Sequence, residues 1–297
     1  MGGPPGPGGL TVGYHDRSHW DAVHAGAGDP PGRAALEVAR SAVRALDVAP
    51  GAVVVDVACG DGPFLGALPE ATTRVGVDLA LGALRAGTGV CGDALALPLR
   101  DGVADAVVLL SSWWALPDPG RGVAEAARVL RPGGRLLVHT WDRPAECRLI
   151  TLGASCVARV LPAMVRPAGV RGAFDASPAD VAAVLRRAGL RPGGSHRGAH
   201  TWPLGSTADY WAEFRRLAPT SYAAYRDAPA RARADVDRLL GRLLDRLRAD
   251  GVDGLGLSWR LTAAGPITRA ATRGRTAPQP RRAAGWSGTP APAPPSR

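Results

Sequence analysis

Two spacings of apolar residues take turns along the first half of this 297-residue chain. Residues 34–46 (AALEVARSAVRAL) place apolar positions three and four apart, the period of an amphipathic helix. The runs VVVDV (53–57), RVGVDL (74–79), VCGDA (90–94), ADAVVLL (104–110) and GRLLVHTW (134–141) are short and rich in Val and Leu, and predict strands. Between them GPFLGAL, LGALRAG and GRGVAEAARVL (120–130) predict helices, the last closed by the turn RPGG. Buried runs separated by helices predict an α/β fold with a doubly wound, parallel sheet.

After Trp141 the pattern changes. Residues 143–177 sustain no period and are expected to be irregular. SPADVAAVLRRAGL (177–190) predicts a helix with Ser177 as N-cap, Pro178 at its first position and an end near Gly189. STADYWAEFRRLA (206–218) and ARADVDRLLGRLLDRLRAD (232–250) predict two more. On the last, Val236, Leu239, Leu240, Leu243, Leu244 and Leu247 form one apolar stripe, read as core packing. LGLSWRLTAAG (255–265) predicts a final strand. Residues 1–12 (Gly/Pro-rich) and 274–297 (Pro, Arg and Ala) have no apolar period and are expected to be disordered.

Charge changes this picture less than its total suggests. The net +10 comes from 36 basic residues, every one an arginine, against 26 acids. Residues 254–297 hold seven of the arginines and no acid, so the first 253 residues carry 29 against 26, a net of only +3. The excess sits in a tail, which is read as solvated rather than as a nucleic-acid surface. No run of eighteen apolar residues predicts a membrane span, and MGGPPGPGGL has neither a basic start nor an apolar segment of a secretory signal, so the cytoplasm is the expected compartment. Cys59, Cys91, Cys147 and Cys156 show neither CxxC nor disulfide spacing and are read as small hydrophobes, and no metal-ligand spacing is present.

The chemistry concentrates in VVVDVACGDGPFLGAL (53–68), a strand, a Gly60-x-Gly62 turn and a helix. Glycines let the backbone approach a ligand, and the helix N-terminus offers unpaired N–H groups. The dinucleotide fingerprint G-x-G-x-x-G fails, because Leu65 stands where the third glycine belongs. Three carboxylates end successive strands instead: Asp56 beneath the turn, Asp78 where a carboxylate can accept both ribose hydroxyls, and Asp93 within reach of an adenine amino group. A ligand with adenine, ribose and a zwitterionic tail but no phosphate matches that set, and S-adenosylmethionine (SAM) is one. Each aspartate alone reads as readily as a helix cap or loop residue; the set carries the argument.

These residues resemble class I SAM-dependent methyltransferases, in the small-molecule branch (methyltransferase type 11) similar to the ubiquinone and menaquinone methyltransferases. DVACGDG (56–62) resembles the family's first motif with Ala58 in place of its first glycine, GVD (76–78) its ribose motif and GDA (92–94) its adenine motif. Residues 97–137 resemble its fourth strand, following helix and turn; the likeness is strong over 50–141 and weak outside. It implies a seven-stranded, mostly parallel sheet with a helical cap, within one domain over 13–273 (core 34–142 plus 178–273, cap elements within 143–250). It also implies cofactor contacts from Asp56, Ala58, Cys59, Gly60, Gly62, Asp78, Leu79, Asp93, Ala94, Ser111 and Trp113.

The implied activity is methyl transfer from SAM to a small organic acceptor, on oxygen or carbon, such as a secondary metabolite or quinone-like compound. A base is needed only if the acceptor is a hydroxyl or acidic carbon, and His15, His19 and His139 are the candidates. Trp113 and Trp114 stand where the fourth strand meets the cleft, one of them suited to face the sulfonium. Two other readings remain: a nucleic-acid (RNA) methyltransferase and a non-catalytic SAM-binding protein. Against the first, Ser111-Ser112-Trp113-Trp114 does not match the D/N-P-P-Y/F/W motif, and Asp29-Pro30-Pro31-Gly32 follows no apolar strand.

Overall fold

The computed structural model describes residues 16–25, 32–84, 88–161 and 171–266. In chain order these form α1 (Arg17–Val23), α2 (Arg33–Leu46), β1 (Val53–Val57), α3 (Pro63–Ala67), β2 (Thr73–Asp78), β3 (Thr88–Cys91), β4 (Ala104–Leu109), α4 (Pro119–Val129), β5 (Leu130–Trp141) and α5 (Arg148–Val160). Then follow α6 (Pro178–Arg187), β6 (Leu190–Pro203), α7 (Thr207–Leu217), α8 (Pro219–Asp227), α9 (Ala230–Ala249) and β7 (Gly254–Pro266). The described strands make one seven-stranded sheet in the order β3-β2-β1-β4-β5-β7-β6. Neighbours from β3 through β5 run parallel, and β7 lies antiparallel between β5 and β6.

The apolar runs become strands because both faces of this sheet are covered. Val54, Ala106, Val108 and Leu137 point into a core with residues of α2, α3, α5, α7 and α9. Their alternate neighbours Val55, Val107, Leu109, Leu136 and Val138 point into a second core with residues of α4 and α6. This is the two-residue alternation of a pleated sheet, filled on both sides. The order reverses at β1–β4, the switch point at whose carboxyl edge open α/β sheets bind ligands.

Glu213 of α7 ties the ligand-facing helices together. It is buried, and its carboxylate accepts from the Arg33 and Ala34 N–H groups at 2.8 and 3.0 Å, capping α2, which has no side-chain cap of its own. The expected cap of α6 is present: Ser177 and Asp180 form a reciprocal capping box. Cys59, Cys147 and Cys156 are buried, Cys91 is half-buried, and all four are free. None of the described helices is long and apolar enough to cross a membrane.

Several expectations need correction. Residues 148–160 are a helix, α5, not irregular chain; its buried face is Leu149, Ile150, Gly153, Cys156 and Val157. Gly153 belongs to that face because the Tyr210 hydroxyl fills its space, 2.7 Å from where a Cβ would stand. The strand expected at 90–94 lies at 88–91, and the one expected at 134–141 begins at Leu130, so RPGG lies within an irregular strand rather than a helix-ending turn. LGALRAG gives one turn of 3-10 helix, Leu81–Ala83. Leu243 stands exposed beside the buried Val236, Leu240 and Leu244. The segments 1–12 and 274–297 lie outside the described residues.

Candidate active site

The turn after β1 is built on left-handed backbone. Gly60 (φ 55°) and Gly62 (φ 73°) adopt it freely, whereas Ala58 (φ 55°) adopts it at a cost. Gly62 then caps α3, with Pro63 at its first position. Asp78, at the end of β2, holds the turn: one carboxylate oxygen accepts from the Gly60 N–H at 2.7 Å and the other from the Ala80 N–H at 2.8 Å. Gly76 explains why the second strand carries a glycine: a Cβ there would lie 2.8 Å from Cys59 Sγ and 2.9 Å from Leu65 Cδ1. Ala58→Gly is expected to raise stability by about 0.5–1 kcal/mol, the left-handed strain released less the entropy glycine loses on folding. Urea unfolding checks it; a stability loss would show that Ala58 is not strained.

Above this turn opens a cavity of about 320 Å³, near the lower end of the range for small-molecule sites. Its strand-end wall holds Asp56, Asp78 and Asp93 with the residues of the turn. Facing residues come from α1 (Trp20 and Val23, followed by His24), from the short turn at 113–115 (Trp114), and from α7 and α8 (Arg215, Arg216, Tyr222 and Arg226). Asp56 is 2% exposed, and its Oδ1 is buried with no hydrogen-bond partner among the described residues. Burial, and then the charge of Asp78, push its carboxyl well above the ordinary carboxylate range. A cationic group in the cavity would satisfy that oxygen. Asp93 spends Oδ1 on the Leu95 N–H at 2.8 Å and is otherwise exposed in the same wall. The acceptor set therefore fits a ligand with an ammonium, a diol and an amino-bearing ring, as SAM has.

Of the residues expected to touch cofactor, Asp56, Ala58, Cys59, Gly60, Asp78, Leu79, Asp93, Ala94 and Ser111 line the cavity together. Gly62 shapes the turn from behind. Trp113 is buried on the other side of the 113–115 turn, and Trp114 takes the cavity wall. His15 lies outside the described residues. His19 sits on α1 with its ring edge-on to Trp20 at 5.2 Å and does not line the cavity. His24 does: a Cβ on Gly60 would lie 3.5 Å from its Cε1. Burial lowers its pKa, Asp78 opposing that and Arg216 adding to it, so the ring is neutral near pH 7. Sequence reasoning missed His24, Trp20, Arg215 and Arg216, because tertiary packing alone brings α1 and α7 over the strand ends.

Residues 55–138 match the family described as Methyltransferase domain. The stretch is similar to the demethylmenaquinone methyltransferases of Corynebacterium urealyticum, 36% identical over 129 residues, and of Mycolicibacterium vanbaalenii, 36% over 131. These matches take 41% and 42% of this chain and 56% and 58% of the relatives, so the chain spans little more than half the length of the curated relatives it matches. The match is to a methyltransferase domain and is confined to residues 55–138 of this chain. The fold of the 4+2 cyclase SpnF is also similar, with TM-score 0.52 and 20% identity over 90% of this chain and all of that one. A neighbour named for a cyclisation shows that this fold alone does not set the reaction.

His139 is not placed as a base for an acceptor. It lies on β5, 1% exposed, behind Ser111, whose N–H donates to its Nδ1 at 3.2 Å. It borders a separate void of about 10 Å³ rather than the cavity. Burial pushes its pKa down to about 3, so it stays neutral, with Nδ1 the acceptor. Its observable effect is on stability. The unfolded chain binds a proton near pH 6.5 that the folded ring refuses, so this contribution is complete above that pH and falls as pH drops toward 3. His139→Asn is expected to remove about 2 kcal/mol of the stability lost between pH 7 and pH 5. Urea unfolding at both pH values, compared with the unaltered chain, checks this; an unchanged pH dependence would contradict it.

Helix α1 is fastened over the cavity from α8. The Arg226 guanidinium donates to the carbonyls of Ala22 at 2.7 Å, Ala25 at 2.8 Å and Val23 at 3.4 Å, capping the helix end with positive charge. Asp227 steadies the same guanidinium, at 2.8 and 2.9 Å. On the other side Asp21 accepts from the Gly82 N–H at 3.4 Å, and the Trp20 and Trp114 rings meet with centroids 6.2 Å apart. Trp20 and His24 thus reach the cavity on a helix held at both sides.

Proposed function

We propose that the domain methylates a small organic acceptor, on oxygen or carbon, with SAM as donor. The observation that carries this reading is the buried, unpartnered Oδ1 of Asp56 in one wall with Asp78, Asp93 and the glycine turn. Asp56 would take the ammonium of the amino-acid tail, Asp78 the ribose hydroxyls, and Asp93 the adenine amino group. When bound, SAM supplies an electrophilic methyl on a sulfonium. The chain's part is then to hold a nucleophile in line and to exclude water. Trp20 and Trp114 close the cavity side, and Trp114 presents a ring suited to a nearby cation. For a hydroxyl acceptor, His24 is the neutral imidazole in the cavity wall able to take the proton. The relatives are named for acting on demethylmenaquinone, and the flat ring of a quinone fits aromatic walls.

The test is transfer of label from methyl-tritiated SAM to a panel of hydroxylated aromatic compounds, with a short RNA as a separate arm. Label in a small aromatic product supports the reading. Label in RNA alone, or none although S-adenosylhomocysteine (SAH) binds, would favour the nucleic-acid or non-catalytic alternative.

A further inference from the structure

Among the described residues, Asp47, Ala58 and Ser111 hold left-handed backbone without being glycine. Asp47 ends α2 and does not line the cavity, whereas Ala58 and Ser111 both do. Left-handed backbone is unfavourable for a residue with a Cβ, and strain of this kind gathers at sites whose shape depends on it. Ala58 sits inside the glycine turn. Ser111 (φ 53°) stands two residues past the end of β4, where the chain leaves its ladder with β5. There its N–H donates to a side chain, His139 Nδ1, at 3.2 Å. The imidazole is 1% exposed, and Trp141 meets it edge-on with centroids 4.5 Å apart, which fixes the ring plane. Ser111 is thus the joint between β4 and the turn at 113–115 that puts Trp114 in the cavity wall.

We propose that His139 is a positioning residue for the ligand cavity: by accepting from the Ser111 N–H it holds Ser111 in left-handed backbone and so sets the wall at the end of β4. This rests on the methyltransferase reading above for the ligand used in its test. A backbone N–H withdrawn from water needs an acceptor, so the backbone at 111 turns to where the imidazole stands. Without that acceptor nothing offsets the cost of left-handed backbone at a serine. Ser111 then relaxes toward an ordinary conformation and carries Ser112 and the Trp114 turn with it. The titration of His139 acts on stability; its hydrogen bond acts on the site.

The experiment is titration calorimetry of the full chain with SAH at pH 7, with urea unfolding of each variant beside it. His139→Leu, close in volume but without an acceptor, should bind SAH about 10-fold more weakly or worse. His139→Asn, whose Oδ1 stands near the place of Nδ1, should bind within about threefold of the unaltered chain. Adding Ser111→Gly to His139→Leu should bring affinity back to within about threefold, because glycine adopts left-handed backbone freely. Stability should not return with it, since the N–H at 111 still lacks its acceptor. That split separates positioning from packing. His139→Gln, whose acceptor lies further out, takes the place of His139→Leu if the leucine variant does not fold. Unchanged affinity in His139→Leu, an equal loss in His139→Asn, no recovery on adding Ser111→Gly, or a recovery that stability follows in step overturns the proposal and leaves the methyltransferase reading standing. Failure of the unaltered chain to bind SAH overturns that reading instead.

Discussion

Asp78→Ala is expected to weaken SAH binding by about 100-fold or more. Its carboxylate, only 7% exposed, accepts from the Gly60 and Ala80 N–H groups, so it fixes the glycine turn as well as facing the cavity. Alanine leaves two N–H groups without their charged acceptor and removes the proposed ribose contact. Hydrogen bonds to charged groups contribute about 1.5–3 kcal/mol each, so losing the ribose contact and the order of the turn together reaches about 2.7 kcal/mol, which is 100-fold. Asp78→Asn should not rescue, because an amide NH₂ would face one of the two backbone donors. Titration calorimetry measures the affinity. Binding by the alanine variant within threefold of the unaltered chain would show that the turn does not hold the ligand.

A second large effect is expected in the pH dependence. The Asp56 carboxyl is held well above its usual range by burial and by Asp78, so without ligand it favours the neutral acid. An ammonium favours the carboxylate, so binding SAH should expel a proton, and affinity should rise with pH, by up to about tenfold per unit, while pH lies below the raised pKa. Folding has the opposite sign: a raised folded pKa contributes stability below the unfolded value that is lost as pH rises through the folded one. SAH should therefore stabilise the chain more as pH rises. Asp56→Asn should flatten the affinity profile and cost about 10- to 100-fold at pH 7.5. Calorimetry in two buffers of different ionisation enthalpy counts the protons released. A flat profile with no release would contradict the assignment of Asp56 to an ammonium.

Much of the sheet and of the strand-end wall could be read from the sequence, and for one reason: both belong to local pattern. A strand covered on both faces needs a run such as Val53–Val57, and the end of such a run places Asp56 beside the glycine turn. Strand β6 could not be read, because it is the sheet's last strand and mostly solvated. Its Arg, His, Gly and Pro residues give no apolar alternation, and Leu190 and Trp202 are its buried side chains. Helix α5 escaped because Gly153 and Cys156 stand where larger apolar residues would have marked the period. The facing wall was invisible for another reason. Arg215 and His24 look like any polar residue of an amphipathic helix until Arg226 fastens α1 and Glu213 docks α7 against α2. His139 misled because a histidine on a strand end does not reveal whether it faces the cleft or, as here, the back of Ser111.

The central claim is that this turn and these carboxylates hold SAM rather than a dinucleotide. Titration calorimetry of the full chain with SAH and, separately, with NAD tests it most directly. Saturable binding of one SAH per chain, with no measurable heat from NAD, is the expected result. Binding of NAD with no binding of SAH would contradict it.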